Sequence, residues 1–289
     1  MNYLYDETFD GFLTCVYHHW YTEKAEGIFP EGLYQLDLCR RAMTAETDMQ
    51  KAGRVLNAIT GKISKWDAER VYRVFCSNEA EKEMKLIRYI ELGFRDGPKV
   101  RLMHGNPAVK DVEAAEQRIG FEVHRLTGLV RFMEVQNGDG PLLLYAKIEP
   151  DNDVLEFIAP HFSDRFKSEP IIIHDLGRGK ALFASARKWE IAPLPPDVLE
   201  SGGQPPDAST GAGGYGCADA NQAADAAADK AADTAAYAPT LKASGPEQGY
   251  SALWIQYFET MGTKERVNPR CQRQFMPTRY WKHLTELGG

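Results

Sequence analysis

Histidine and acidic side chains in the central part of the sequence are of the types that transfer protons or bind metals. The candidates are His124, Glu134, Glu149, His161, His174 and Asp175. A histidine beside carboxylates can act as a general base or as a metal ligand. His161 with His174 and Asp175 would supply three ligands, although the sequence has none of the short-spaced HxH or HExxH patterns. The alternative is structural, with His174-Asp175 ending a strand and entering a turn.

Basic side chains near the C-terminus are of the types that bind phosphate, since six Lys or Arg residues and one Glu lie between Lys264 and Lys282. Arginine holds phosphate in a bidentate fork, while Asn and Gln can bond base edges. The candidates for DNA contact, here and in the central region, are Arg125, Arg131, Arg165, Arg266, Asn268, Arg270, Gln272, Arg279 and Lys282. Alternatively, these cations form a solvated face, and Tyr280 and Trp281 anchor a final helix that begins at Pro277.

The net charge of −7 for the whole chain would disfavour nucleic-acid binding, but the charge is unevenly distributed along the sequence. Residues 197–247 hold eight acidic and two basic residues, so the rest of the chain is close to neutral. Within that stretch, residues 199–245 are rich in Ala, Gly, Asp and Pro and poor in large apolar residues. Such a composition cannot bury enough apolar surface to offset its ordering entropy, which predicts a disordered insertion.

Cofactor motifs are missing from the sequence. The five cysteines form no CxxC pair, so we expect neither a zinc site nor an iron–sulfur cluster. The GxGxxG, GxxxxGK[ST] and GxSxG patterns are also missing. The odd cysteine count, the start of the sequence and the lack of a long apolar run predict a cytoplasmic protein with no membrane partner.

Apolar spacing predicts helices before and after a central β region. A strand over Tyr3–Tyr5 precedes a helix whose apolar face runs from Phe9 to Trp20, and an irregular stretch is expected up to Ser64. Helices are predicted over 67–77 and 79–94, the second starting at an Asn78/Glu81 capping box. Asn106-Pro107 is typical of a further helix start.

The central region predicts antiparallel hairpins. Strands 129–136 and 142–148 flank the turn residues of 137–140, and strands over 170–174, 181–186 and 189–192 follow a helix near 153–166. Another apolar helical face runs from Tyr250 to Met261. We therefore predict an α+β fold with an antiparallel sheet flanked by helices. Residues 1–194 and 247–289 would form one domain, interrupted by the insertion.

Several collinear stretches resemble a bacterial family assigned to DNA metabolism or DNA repair. The resemblance spans residues 1–194 and about 247–289, and Glu7 departs from it where the family often has Gly. The matching stretches are Tyr3–Asp6, Phe9–Leu13, Tyr89–Phe94, Glu122–Gly128, Arg131-Phe132, Tyr145–Asn152, His161-Phe162, Arg165-Phe166, Ile172–Asp175, Glu265-Arg266, Asn268-Pro269, Pro277 and Arg279–Lys282.

This resemblance implies a pathway but no active site. Members of the family accompany a radical-SAM protein of DNA repair, and the domain is sometimes fused to a uracil-DNA glycosylase-like domain. The first hypothesis is therefore a DNA-binding accessory factor that works with the radical-SAM partner. The second is a DNA-processing enzyme, a glycosylase or nuclease that uses the central His, Glu and Asp residues. A purely structural partner without DNA contact is the third.

Overall fold

The structure is a computed structural model that describes residues 1–35, 39–137, 142–195, 241–243, 250, 252–256, 270, 273 and 275–285. It has the predicted α+β composition. Two compact units are present: Met1–Phe121 with Asp151–Asp153, and Glu122–Pro150 with Val154–Gly289. The single domain predicted from the sequence, residues 1–194 and 247–289, stays a prediction.

The first unit contains a parallel sheet that was not predicted from the sequence. Its strands are β1 (Asn2–Tyr5), β2 (Gly27–Pro30) and β3 (Ala42–Thr44), in the order β2-β1-β3. The prediction of an irregular stretch up to Ser64 was therefore wrong, since β2, β3 and helix α2 (Met49–Lys62) lie within it. β2 and β3 have only four and three residues, which is too short to show an alternating pattern.

The α-helices described up to residue 129 are α1 (Phe9–Tyr21), α2, α3 (Lys65–Phe75), α4 (Lys82–Asp96) and α5 (Pro107–Leu129). The start of α5 at Asn106-Pro107 is confirmed, and the Asn106 side chain accepts a bond from the Ala108 N–H at 2.9 Å. The capping box predicted for the start of α4 was wrong. Glu81 itself is the N-cap, in a left-handed conformation, and the Asn78 N–H donates to Asn152 instead.

The second unit contains a mixed sheet in the order β8-β7-β6-β5-β4-β9. Its elements are β4 (Met133–Asn137), β5 (Leu142–Ile148), α6 (Leu155–Arg165), β6 (Ile171–Asp175), β7 (Lys180–Ser185), β8 (Lys188–Pro193) and β9 (Leu241–Ala243). The predicted hairpins β4-β5 and β6-β7-β8 are confirmed. The expectation of an antiparallel sheet was wrong at β5 and β6, which are parallel because α6 returns the chain between them.

The C-terminal part differs from the prediction in two places. Leu241–Ala243 were assigned to the disordered insertion but form β9, which pairs with β4, whereas residues 199–240 and 244–245 lie outside the described residues. The predicted final helix is a 3₁₀ helix, Thr278–His283, that follows Pro277. Among the described residues, no helix is long and apolar enough to cross a membrane.

Candidate functional site

His174 and Asp175 are buried at the end of β6, where they have structural partners. The Nε2 of His174 lies 3.0 Å from the Leu194 carbonyl, which can only accept, so Nε2 carries the proton. Its Nδ1 then accepts a bond from the Tyr145 hydroxyl at 2.7 Å. Burial lowers the pKa of His174, although the bond to Leu194 acts in the opposite direction. The ring is therefore held neutral inside the sheet.

The Asp175 carboxylate closes the turn that follows β6. Its Oδ1 accepts bonds from the N–H groups of Gly177 and Arg178 at 3.1 and 3.2 Å, and its Oδ2 pairs with the Arg178 guanidinium at 3.0 Å. Arg178 also donates to the Pro150 carbonyl. The structural alternative for His174-Asp175, a strand end entering a turn, matches this geometry.

The other predicted acid–base residues are not gathered around these two. His124 is exposed on α5, His161 is exposed on α6, and Glu134 is half-buried on β4. Within the described part of the chain, no three His, Cys, Asp or Glu side chains are placed to hold a metal ion. The metal site considered for His161, His174 and Asp175 is not formed.

Glu149, the residue after β5, lies beside an ammonium group and an imidazole of the C-terminal 3₁₀ helix. Its Oε2 accepts a bond from the Lys282 ammonium, and its Oε1 lies 3.3 Å from the Nε2 of His283. Burial would raise the pKa of Glu149, but Lys282 and His283 together outweigh burial and lower it. His283 was not recognised in the sequence because no local motif surrounds it. A small depression beside it is lined by Leu126, Leu129, Val130, Lys147, Ile148 and Tyr280.

Glu122 is 2% exposed and binds the same 3₁₀ helix. The Tyr280 hydroxyl donates to Glu122 Oε1 at 2.5 Å, and the Arg279 guanidinium lies 3.3 Å from that oxygen. Arg279 also donates to the Tyr280 hydroxyl at 2.9 Å. Two of the predicted DNA contacts, Arg279 and Lys282, are therefore engaged with carboxylates. Tyr280 is buried, as the anchoring alternative requires.

Arg131 and Arg165 each precede a phenylalanine of one packed aromatic pair. Phe132 packs against Phe166 with ring centroids 4.9 Å apart, so the chain segments that carry Arg131 and Arg165 meet at these rings. The Arg131 guanidinium lies 5.5 Å from the Trp254 ring, and that of Arg165 lies 5.8 Å from the Phe166 ring. We call these five residues the Arg131–Arg165 surface.

Local structure holds this surface in place. Phe132 also packs on Phe162 in α6, at 5.6 Å, which fixes the segment between α5 and β4. The Arg131 guanidinium donates to the Gly128 carbonyl near the end of α5. Arg165 is the last residue of α6, where a cation interacts favourably with the helix dipole. Trp254 is 40% exposed, so its ring is accessible.

Of the remaining predicted contacts, the structure describes Arg125 and Arg270. Arg125 is half-buried on α5, and Arg270 is exposed. Arg266, Asn268 and Gln272 lie outside the described residues. The structure thus places two of the predicted DNA contacts, Arg131 and Arg165, against aromatic rings whose role the sequence did not indicate.

The chain was compared with known protein families, curated proteins and solved structures. Residues 80–286 match the model of a family described as a domain of unknown function, DUF4130. The matched range includes the Arg131–Arg165 surface and the carboxylates bound to the 3₁₀ helix. No curated protein and no solved structure matches the chain.

Proposed function

The chain belongs to the DUF4130 family, and we propose that it is a DNA-binding accessory protein of DNA metabolism that works with a radical-SAM partner. The resemblance of its sequence motifs to a family of DNA repair proteins supports the pathway and the partner. The Arg131–Arg165 surface is the observation that supports DNA binding.

The chemistry of this surface suits single-stranded DNA. Guanidinium groups bind phosphates, and exposed aromatic faces stack on unpaired bases irrespective of sequence. In this surface each guanidinium lies over a ring, Arg131 over Trp254 and Arg165 over Phe166. A strand that follows the surface would place phosphates near the arginines and a base on Trp254.

The experiment is a binding titration of the full chain with a labelled single strand of about 16 nucleotides, the upper end of typical site sizes, at several salt concentrations. We expect the double variant Arg131→Ala/Arg165→Ala to weaken binding by about 1.5–3 kcal/mol, the range for hydrogen bonds to charged groups. The salt slope should flatten by about 0.7 for each phosphate that the variant no longer neutralises. Arg101→Ala, an exposed arginine of the first unit, is the matched control. Parent-like binding by the double variant at every salt concentration would exclude this surface.

The Glu149–His283 pair keeps the alternative of a DNA-processing enzyme open. A carboxylate 3.3 Å from an imidazole can orient it for proton transfer, and the depression beside the pair is partly apolar. Incubation with uracil-containing and undamaged strands, followed by analysis of base release and strand cleavage, tests it. A His283→Gln variant should lose any such activity, whereas product formation unchanged by that substitution would assign it to a contaminant.

A further inference from the structure

The last two turns of α1 carry aromatic side chains that are not fully buried in the core. Tyr17, Trp20 and Tyr21 are spaced at i, i+3 and i+4, so they share one helix face. Trp20 is 39% exposed and Tyr21 is 75% exposed. The apolar face predicted from the sequence included Tyr17 and Trp20, but the fully buried part of it consists of Phe12, Leu13 and Val16 and lies earlier along the helix.

These rings support one another in two pairs. Tyr17 and Tyr21 stack with centroids 4.4 Å apart and ring planes 26° from parallel. Trp20 packs edge-on against Phe94 of α4 at 5.3 Å. Each exposed ring is therefore held by a partner beneath or beside it. A stacking platform needs this arrangement, because a fixed ring loses little conformational entropy when a ligand binds.

Lysines from α2 lie over both pairs. The Lys51 ammonium is 5.8 Å from the Tyr17 ring centroid, and the Lys62 ammonium is 5.3 Å from that of Phe94. Lys51 also pairs with Asp48 at 3.3 Å, whereas Lys62 is exposed. We call Tyr17, Trp20, Tyr21 and Phe94, together with Lys51 and Lys62, the α1 aromatic surface.

The charges favour one kind of occupant. The cores of protein–protein interfaces are depleted in lysine, whereas single-stranded nucleic acid is bound by rings that stack on bases and by cations that follow the backbone. A duplex hides the faces of its bases, so its backbone would meet the lysines without using the rings. The combination of two lysines and two exposed rings therefore fits an unpaired strand.

We propose that the α1 aromatic surface binds single-stranded DNA, with bases on Tyr21 and Trp20 and phosphates at Lys62 and Lys51. This goes beyond the proposed function, because it assigns a separate nucleic-acid contact to the first unit, on a helix that precedes the residues matching the DUF4130 model. The two surfaces consist of different residues, and each can fail alone.

The test uses the full chain, a labelled oligothymidylate of about 16 nucleotides and a duplex of the same length. Tyr21→Ala should weaken single-strand binding about fivefold or more, the effect expected for one stacked base. Phe121→Ala removes a ring on α5 that is 60% exposed and should bind like the parent. Lys62→Gln should weaken binding and flatten the salt slope by about 0.7, with Lys110→Gln, an exposed lysine of α5, as its control.

The outcomes separate this inference from the proposed function. If Tyr21→Ala and Lys62→Gln bind like the parent while Arg131→Ala/Arg165→Ala does not, the α1 aromatic surface is excluded and the proposed function stands. The converse result excludes the Arg131–Arg165 surface alone. A parent chain that binds no single strand overturns both. Equal weakening of single-strand and duplex binding by Tyr21→Ala would also overturn the inference, because stacking needs unpaired bases.

Discussion

Glu7 has a φ of +66°, a left-handed conformation that disfavours any residue with a Cβ. The family that the sequence resembles often has Gly at this position, and the backbone conformation gives the physical reason. Asp6 fixes the conformation, since its carboxylate accepts bonds from the N–H and hydroxyl of Thr8 and from the hydroxyl of Thr47. The strain at Glu7 is therefore imposed by its neighbours.

We predict that Glu7→Gly stabilises the protein. Relief of the left-handed strain contributes about 1–2 kcal/mol, and the greater entropy of an unfolded glycine removes about 0.5–1 kcal/mol of that gain. The free energy of unfolding measured in urea should rise by about 0.5–1 kcal/mol. Glu69→Gly, on the exposed side of α3, should instead lower it by about 1 kcal/mol. A loss of stability in Glu7→Gly would contradict the strain.

The buried His174 makes stability depend on pH. Burial lowers its pKa from the ordinary value of 6.5, so the unfolded chain takes up a proton that the native chain does not. The stability that neutral His174 contributes is fully present above about pH 6.5, and it is lost as the pH falls below that value. Burial also lowers the pKa of His18 and His283, which act in the same direction.

We predict that His174→Gln, which cannot titrate, shows a smaller loss of unfolding free energy on acidification than the parent. Urea unfolding at about pH 7.5 and pH 5.5, on either side of the ordinary histidine pKa, measures the difference. The variant is expected to be less stable at the higher pH, because Tyr145 and Leu194 lose an optimised partner. An identical change with pH in both proteins would show that His174 is not the group responsible.

At the residue scale, the sequence predicted the local structural role of a side chain better than its distant partners in the fold. His174-Asp175 was correctly considered as a strand end entering a turn, because that interpretation needs only local residues. Glu122 and His283 were not considered as site residues. Their partners lie 158 and 134 positions away along the chain, at Tyr280 and Glu149, and no local pattern encodes such a pairing.

At the scale of elements, apolar periodicity found α1, α3, α4 and α6 and the strands of both hairpins, because each buries a face with a regular repeat. It missed α2, which buries Ala52, Val55 and Ile59 at helical spacing but has a mostly polar surface. The parallel pairing of β5 with β6 was also missed. That pairing depends on where α6 returns the chain, which the strand sequences do not state.

The C-terminal 3₁₀ helix depends on a carboxylate that is almost fully buried. We predict that Arg279→Ala lowers the free energy of unfolding by about 1–2 kcal/mol, because Glu122 loses its cation; the value allows for the partial exposure of Arg279. Tyr280→Phe should lower it by about 1–3 kcal/mol by removing a bond to the same carboxylate. The control is Arg273→Ala, since Arg273 is exposed and belongs to the same basic segment, residues 264–282.

The same variant, Arg279→Ala, also distinguishes a phosphate-binding role of the basic segment from a structural one. If Arg279 were mainly a phosphate ligand, Arg279→Ala would weaken DNA binding and leave the unfolding free energy at the parental value. A loss of stability with unchanged DNA affinity would assign Arg279 to the fold. The sequence suggested the phosphate role because it shows the charge of Arg279 without showing the acid opposite it.

At the scale of the whole molecule, the disordered insertion predicted from composition was extended too far at its C-terminal end. Leu241–Ala243 were included in the insertion although they pair with Val135, Gln136 and Asn137 of β4. A three-residue strand has too few side chains to stand out from an Ala-rich sequence. The division into two compact units was not predicted, since both units consist of ordinary globular sequence.

We predict that the insertion and β9 respond differently to deletion. Replacing residues 199–238 with a short Gly/Ser linker should leave the thermal midpoint nearly unchanged, because the removed residues lack core-forming side chains and a shorter loop costs slightly less entropy to close. Extending the deletion to residue 245 removes β9 and its backbone bonds to β4. The midpoint should then fall by about 2–4 °C for each kcal/mol of stability removed. Equal midpoints for the two deletions would show that β9 adds nothing to the sheet, and a large drop in the shorter deletion would show that residues 199–238 pack on the fold.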